Sequence, residues 1–182
     1  MALDCEGLLE GALFVPSPNC DMRPQGVRVD LIVIHNISLP PGEYGGKGVV
    51  ELFTNSLDES AHPYYRTLSG LKVSAHFFVR RNGEVIQFVP TSQRAWHAGM
   101  SSWKGREKCN DYSVGIELEG TDFSPFTDMQ YDALAQLTHA ILEKYPGCDL
   151  AGHSDISPGR KTDPGPFFDW NRYRFSVTKL SS

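Results

Sequence analysis

Cysteine is scarce: Cys5, Cys20, Cys109 and Cys148 are spread over 182 positions without a C-x-x-C pair. That spacing argues against a disulfide framework and against a structural zinc ribbon, and leaves reduced thiols as the expectation. Long apolar runs are missing too. No stretch approaches the ~20 consecutive apolar residues that span a bilayer, so no membrane partner is expected. The first residues, MALDCEGLLEGALFVPSPN, lack a basic start, and their apolar stretch is interrupted by Glu10 and Gly11. They do not read as a signal peptide. Cys5 follows no hydrophobic segment, which removes a lipoprotein reading; a soluble, cytoplasmic protein is expected. Positive charge is also short. The 17 Lys+Arg against 22 Asp+Glu give a net charge of −5, so attraction of the whole molecule to nucleic acid or anionic lipid is not expected. Internal repeats, low-complexity segments and linkers are lacking as well.

What is present is an apolar fraction of 40%, enough for a sizeable core. The length suits one domain over residues 1–182. VDLIVIH, 29–35, is the short continuous apolar run of a strand buried on both faces. After the Pro/Gly-rich NISLPPGEYGGKG, the segment VVELFTNSLD places Val49, Leu52, Phe53 and Leu57 at helical spacing. SAHFFVRRNGEVIQFVP predicts a hairpin, with Asn82-Gly83 as its type I′ turn. In YSVGIELEG, 112–120, Val114, Ile116 and Leu118 share one strand face and Gly115, Glu117 and Glu119 the other. Thr127 and Gln130 form a capping box for a helix reaching Tyr145, lined by Leu134, Leu137 and Ile141 and stopped by Pro146-Gly147. A short strand, DLAGH, follows. Alternating strands and helices predict an α/β fold, a central mixed sheet flanked by helices. Ligands gather where such strands end in loops, and His35 and His153 both stand at predicted strand ends.

The stretch AGHSDISPGRKTDPG, 151–165, gathers His153, Asp155, Arg160, Lys161 and Asp163 among glycines and prolines that forbid a continuous helix. It reads either as a solvated turn or as half of a metal site whose other half is His35. Catalytic zinc sites take three ligands from His, Asp, Glu or Cys and keep a fourth position for water. Spacing alone does not decide between the two. Six histidines are available, a single histidine is more often a satisfied structural residue than a ligand, and no H-E-x-x-H motif is present.

Five blocks in order, VIHNISLPPGEYGG, SAHFFVRRNGEVIQFVP, RAWHAGMSSW, CNDYSVGIELEG and GHSDISPGRKTDPG, resemble the zinc-dependent N-acetylmuramoyl-L-alanine amidases, in particular those of cytoplasmic peptidoglycan recycling. The likeness runs from VPSPNCDMRP to FFDWNRY. It implies a mixed sheet flanked by helices, as in the related phage amidases and peptidoglycan recognition proteins. It also implies one Zn2+ per chain held by His35, His153 and Asp163, with Glu117 as catalytic acid/base and Lys161 as the stabiliser of the developing oxyanion. The implied reaction is hydrolysis of the amide joining the lactyl group of (1,6-anhydro-)N-acetylmuramic acid to L-alanine, on small anhydro-muropeptides, by a monomer. Relatives outside the recycling group often carry Cys where this chain has Asp163.

Several assignments stay open. Glu119 shares a face with Glu117, and only the motif favours Glu117. Arg106, in a locally basic segment, suits stem-peptide carboxylates, with Lys72 assisting. Trp96 suits packing on the sugar, and His97 a contact to substrate or to a ligand. His76 is read the same way, His62 and His139 as structural or surface residues, and Tyr44 as cleft lining or packing. Asp155 is read as turn capping and Arg160 as a solvated charge. A binding module that had lost catalysis would lack a ligand or the acid, and neither is missing; a cell-wall enzyme would need an export signal.

Overall fold

The computed structural model describes residues 1–180. In chain order its strands and helices are β1 (Leu13–Phe14), β2 (Cys20–Met22), β3 (Leu31–Ile37), α1 (Gly48–Phe53), β4 (Phe77–Val79), β5 (Val85–Gln87), β6 (Gln93–Ala95), β7 (Ser102–Trp103), β8 (Arg106–Glu107), β9 (Ser113–Glu119), α2 (Asp128–Lys144), β10 (Asp149–Gly152), α3 (His153–Ile156) and α4 (Trp170–Leu180). Six strands form one sheet in the order β1-β5-β4-β9-β3-β10. β3 lies parallel to both β9 and β10, β4 is parallel to β9, and β5 returns antiparallel to β4. The sheet is therefore mixed, as expected. Two-stranded ribbons, β2–β6 and β7–β8, lie beside it.

β3 is apolar on consecutive residues because both of its faces are covered. Ile32 and Ile34, with Val114, Ile116 and Leu118 of β9, pack against Leu134, Leu137 and Ile141 of α2 and Tyr173 and Val177 of α4. Burying a side chain of that size stabilises by roughly 1.5–3 kcal/mol. Leu31 and Val33 face the other way, onto Ala98, Tyr112 and Ile156. α1 closes a third cluster on Phe78, Ile86 and Phe88. The face opposite α2 is thus apolar at both ends, and its middle is left for polar side chains.

Three local expectations are modified. The hairpin forms, but only Gly83 takes a left-handed φ (+81°) and Asn82 does not, so the turn is wider than type I′; Arg80 N donates to Glu84 O and Gly83 N to Arg80 O. The 151–165 segment is mostly irregular, yet one helical turn, α3, fits before Pro158. The VVELFTNSLD helix is confined to α1, because Asn55 takes φ +58°. The Thr127–Gln130 capping box is formed with both reciprocal bonds. No helix among the described residues is long and apolar enough to cross a membrane.

Candidate metal centre

On β3 and β9, His35 stands opposite Glu117, and β4 places Phe78 on the far side of Glu117. Residues on one rung of parallel strands share a face, so the imidazole and the carboxylate emerge side by side, away from α2. On the other flank β10 pairs Gly152 with Ile34, which delivers the next residue, His153, beside His35. Asp163 returns to the same point because Ser154 N donates to Asp163 O at 2.9 Å, closing the intervening loop. Asp155 Oδ2 accepts from Gly152 N at 2.7 Å and caps α3. A side chain at Gly152 would stand 2.8 Å from Pro164 Cδ.

Three donor atoms converge. His35 Nδ1 lies 2.9 Å from His153 Nδ1 and 3.0 Å from Asp163 Oδ2, and His153 Nδ1 lies 3.1 Å from that same oxygen. His153 Nε2 meets Ala98 O at 3.1 Å. A carbonyl can only accept, so Nε2 carries a proton, and the neutral ring with that tautomer presents its lone pair on Nδ1. The Asp163 carboxyl would be raised by burial, but contact with His153 and His35 holds it well below the usual carboxylate range. Burial pushes His35 down to about 4. A carboxylate and neutral imidazoles are the forms that bind metal. Ligand atoms around a tetrahedral ion with bonds of ~2.0–2.1 Å are roughly 3.3 Å apart, close to this triangle. Two nitrogens and one oxygen fit zinc and leave its fourth position open.

Glu117 and Glu119 share the strand face but not the environment. Glu119 Oε1 accepts from Gly45 N at 2.6 Å and Oε2 from Arg81 N at 3.0 Å, with the Arg80 guanidinium 3.5 Å away. It fastens the 39–47 loop to the sheet. Glu117 Oε2 is buried and has no hydrogen-bond partner. Burial foremost, then the charge of Asp163, push the Glu117 carboxyl well above its ordinary value, and Lys161 opposes them. An orphaned carboxylate beside a metal triad is the group able to accept and return a proton. Lys161 is exposed, and its charge acts on both His35 and Glu117. A groove of about 610 Å³ opens beside Lys161 and Asp163, walled by Asn36, Tyr64, Thr121 and Phe123.

The other expected site residues separate into two groups. His97 joins the cluster, its Nδ1 2.9 Å from His35 Nε2. Among the described residues the remaining three make no hydrogen bond with the triad. Arg106 donates to Asp30 Oδ2 at 2.7 Å and lies 3.7 Å over the Tyr112 ring. Asp30 precedes β3, about 16 Å along the strand from His35 at ~3.3 Å per residue. In this structure the half-exposed Arg106 is paired with Asp30 rather than with the triad. Trp96 follows β6, and its backbone N donates to Ser74 Oγ at 3.0 Å. Lys72 lies with Leu52, Tyr65 and Leu68 at a separate cavity of about 360 Å³. Arg160, read as a solvated charge, instead donates to Ala98 O, Met100 O and Ser157 Oγ at 2.7–2.8 Å. It thereby holds the carbonyl that orients His153. Asp122, unread in the sequence, accepts from Asn36 Nδ2 at 2.6 Å, and a side chain at Gly165 would stand 2.6 Å from it. His76 is structural: its Nδ1 accepts from Gly115 N at 3.0 Å and its Nε2 meets Gln93 O at 3.1 Å. His62 accepts from Tyr64 N, and Tyr44 bonds Ser124.

The family model described as N-acetylmuramoyl-L-alanine amidase matches residues 25–166, a span that contains the whole triad and Glu117. The chain belongs to the N-acetylmuramoyl-L-alanine amidase family. Among curated relatives, this amidase is 54% identical over 183 residues to the 1,6-anhydro-N-acetylmuramyl-L-alanine amidase AmpD of Citrobacter freundii, covering 100% of this chain and 97% of that protein. It is 53% identical over 176 residues to the Escherichia coli AmpD, covering 96% of each. A crystal structure of a selenomethionine AmpD derivative superposes with a TM-score of 0.95 at 54% identity, over 97% of this chain and 99% of that one. The E. coli amidase AmiD, in complex with anhydro-N-acetylmuramic acid-L-Ala-D-gamma-Glu-L-Lys, superposes with a TM-score of 0.60 at 30% identity, over 85% of this amidase and 60% of that chain. Its six-stranded mixed sheet with flanking helices is thus the architecture of these enzymes.

Proposed function

We propose that this amidase is a zinc-dependent hydrolase of anhydro-muropeptides, cutting the amide between the lactyl carbonyl of 1,6-anhydro-N-acetylmuramic acid and the L-alanine of the stem peptide. The observation that carries the proposal is the triangle of His35 Nδ1, His153 Nδ1 and Asp163 Oδ2, with no side longer than 3.1 Å, beside the unpartnered oxygen of Glu117. The substrate is supported by the AmpD relatives and by the anhydro-muropeptide bound to AmiD. Our reading is that the activity serves cytoplasmic muropeptide recycling and is carried by a monomer whose residues 1–182 work as one amidase domain; the likeness to AmpD supports the muropeptide substrate.

An amide resists hydrolysis because its carbonyl is a weak electrophile, water a weak nucleophile and the amine a poor leaving group. His35, His153 and Asp163 would hold the zinc, which when bound would supply Lewis acidity toward the carbonyl and the attacking water. Glu117 takes the proton of the attacking water on a carboxylate with no competing partner, then returns it to the departing L-alanine nitrogen, so the amine leaves neutral. Lys161, free to reach into the groove from the exposed loop, places an ammonium against the carbonyl oxygen as that oxygen gains charge. Glu119 takes no part in the chemistry; it holds the loop over the cleft. No substrate contact is assigned to Arg106, Trp96 or Lys72.

The test is metal content by elemental analysis together with turnover of an anhydro-muropeptide before and after chelation. About one zinc per chain, loss of turnover on chelation and recovery on adding zinc are expected. Full turnover by metal-free protein, or none by the zinc-loaded protein, would overturn the proposal.

A further inference from the structure

We propose that His97 is a positioning residue of this centre: its Nδ1 accepts the Nε2 proton of His35 and so leaves His35 Nδ1 a lone pair for a cation. The inference rests on the metal-binding reading above. His35 is 1% exposed, so bulk water does not reach its Nε2. The atom that does is His97 Nδ1 at 2.9 Å, the two rings meeting edge-on at 85°. A neutral imidazole has one N–H and one lone pair, so two arrangements satisfy this contact. In the first, His97 Nδ1 donates and His35 carries its proton on Nδ1, which blocks the metal position. In the second, His35 Nε2 donates, and His97 keeps its own proton on Nε2, where Ser113 Oγ at 3.1 Å accepts it. Only the second aims lone pairs from both His35 and His153 at the point they share with Asp163.

The surroundings of His97 are built to hold it there. Its backbone N and that of Ala98 both donate to Asn110 Oδ1, at 3.1 and 2.8 Å. Beneath the ring lies Gly115 of β9, where a Cβ would stand 2.5 Å from His97 Cγ. That glycine makes room for the imidazole in a central strand. Ala98, the next residue, carries the carbonyl that orients His153, so one short segment sets the direction of both nitrogen ligands.

The experiment measures zinc affinity of the full chain by chelator competition for His97→Ala, His97→Asn and Gly115→Ala. Loss of such a partner weakens metal binding by about 10–100-fold, and that loss is expected for His97→Ala and for Gly115→Ala, which displaces the ring. His97→Asn keeps an acceptor oxygen near the Nδ1 position and is expected to recover most of the affinity. In the His97→Ala background Gly115→Ala adds nothing further, because the ring it would strike is gone. Independently of affinity, imidazole 1H–15N spectra of the zinc-loaded parent should show a protected His35 Nε2–H that disappears in His97→Ala. Parental affinity in His97→Ala, or equal weakness of His97→Asn and His97→Ala, overturns the proposal. If Gly115→Ala does not fold, the two His97 variants decide alone. Failure of the parent itself to bind zinc would defeat the metal reading instead.

Discussion

Replacing Glu117 by glutamine should separate chemistry from folding, because the two depend on its carboxylate with opposite sign. Glutamine keeps the shape and the burial but cannot carry a proton back and forth. Loss of general acid–base catalysis costs about 10²–10⁴ in kcat, which is about 2.7–5.5 kcal/mol of transition-state stabilisation at 1.36 kcal/mol per decade. Stability should move the other way. In the metal-free chain, burial and the neighbouring Asp163 hold the Glu117 carboxyl well above its ordinary 4.5. Above that pH the folded state binds more protons than the unfolded state, so this residue subtracts stability as pH rises from 4.5 to the folded value. At 1.36 kcal/mol per unit, the loss between 4.5 and 7 is bounded at about 3 kcal/mol. Glutamine has no such slope. Thermal unfolding of chelated parent and Glu117→Gln from pH 4.5 to 7.5 should therefore start level and diverge, with the variant higher at neutral pH. For a chain of this size about 1 kcal/mol corresponds to 2–4 °C. Zinc content should be unchanged. Parallel melting curves, a variant less stable at pH 7, or undiminished turnover would refute the reasoning.

Lys161→Ala should lower kcat by about 10²–10³ with KM little changed, since an oxyanion partner acts in the transition state; its exposed position predicts an unaltered melting temperature, and a KM effect alone would count against the role. Glu119→Ala should leave zinc affinity intact yet destabilise by about 2–4 kcal/mol, because Gly45 N and Arg81 N lose a charged acceptor; denaturant titration measures it, and a loss of metal without a loss of stability would contradict the loop-fastening role. His76 is fully buried and pushed down to about 3, burial first and Arg23 second. The unfolded chain therefore takes up its proton below ~6.5 while the folded chain does not, and acidification from 6.5 to 5 removes about 2 kcal/mol. In His76→Asn that part of the acid slope should vanish, and an unchanged slope would disprove it.

How far the sequence reached depended on how local each signal was. The apolar run of β3, the period-two pattern of β9 and the Thr127–Gln130 cap of α2 depend on neighbouring residues, and each element forms where it was expected. α4 was not readable in the same way, because it buries only Tyr173 and Val177 along a largely polar helix. Of the triad, His35 and His153 were legible at the ends of predicted strands and Asp163 as a carboxylate in the loop beyond; only the family blocks made the set specific.

Local pattern alone carried the central strands β3 and β9, the β4–β5 hairpin and helix α2, and the motif blocks carried the family and a short roster of side chains. Pattern could not separate Glu117 from Glu119, since alternation gives both the same face; the backbone N–H groups of Gly45 and Arg81, remote in the chain, saturate one and leave the other free. Nor could it show that Arg106 pairs with Asp30, or that Arg160 orders the carbonyl behind His153. A side chain's type is written locally, but its available lone pairs and charges depend on which distant groups the fold has already set against it.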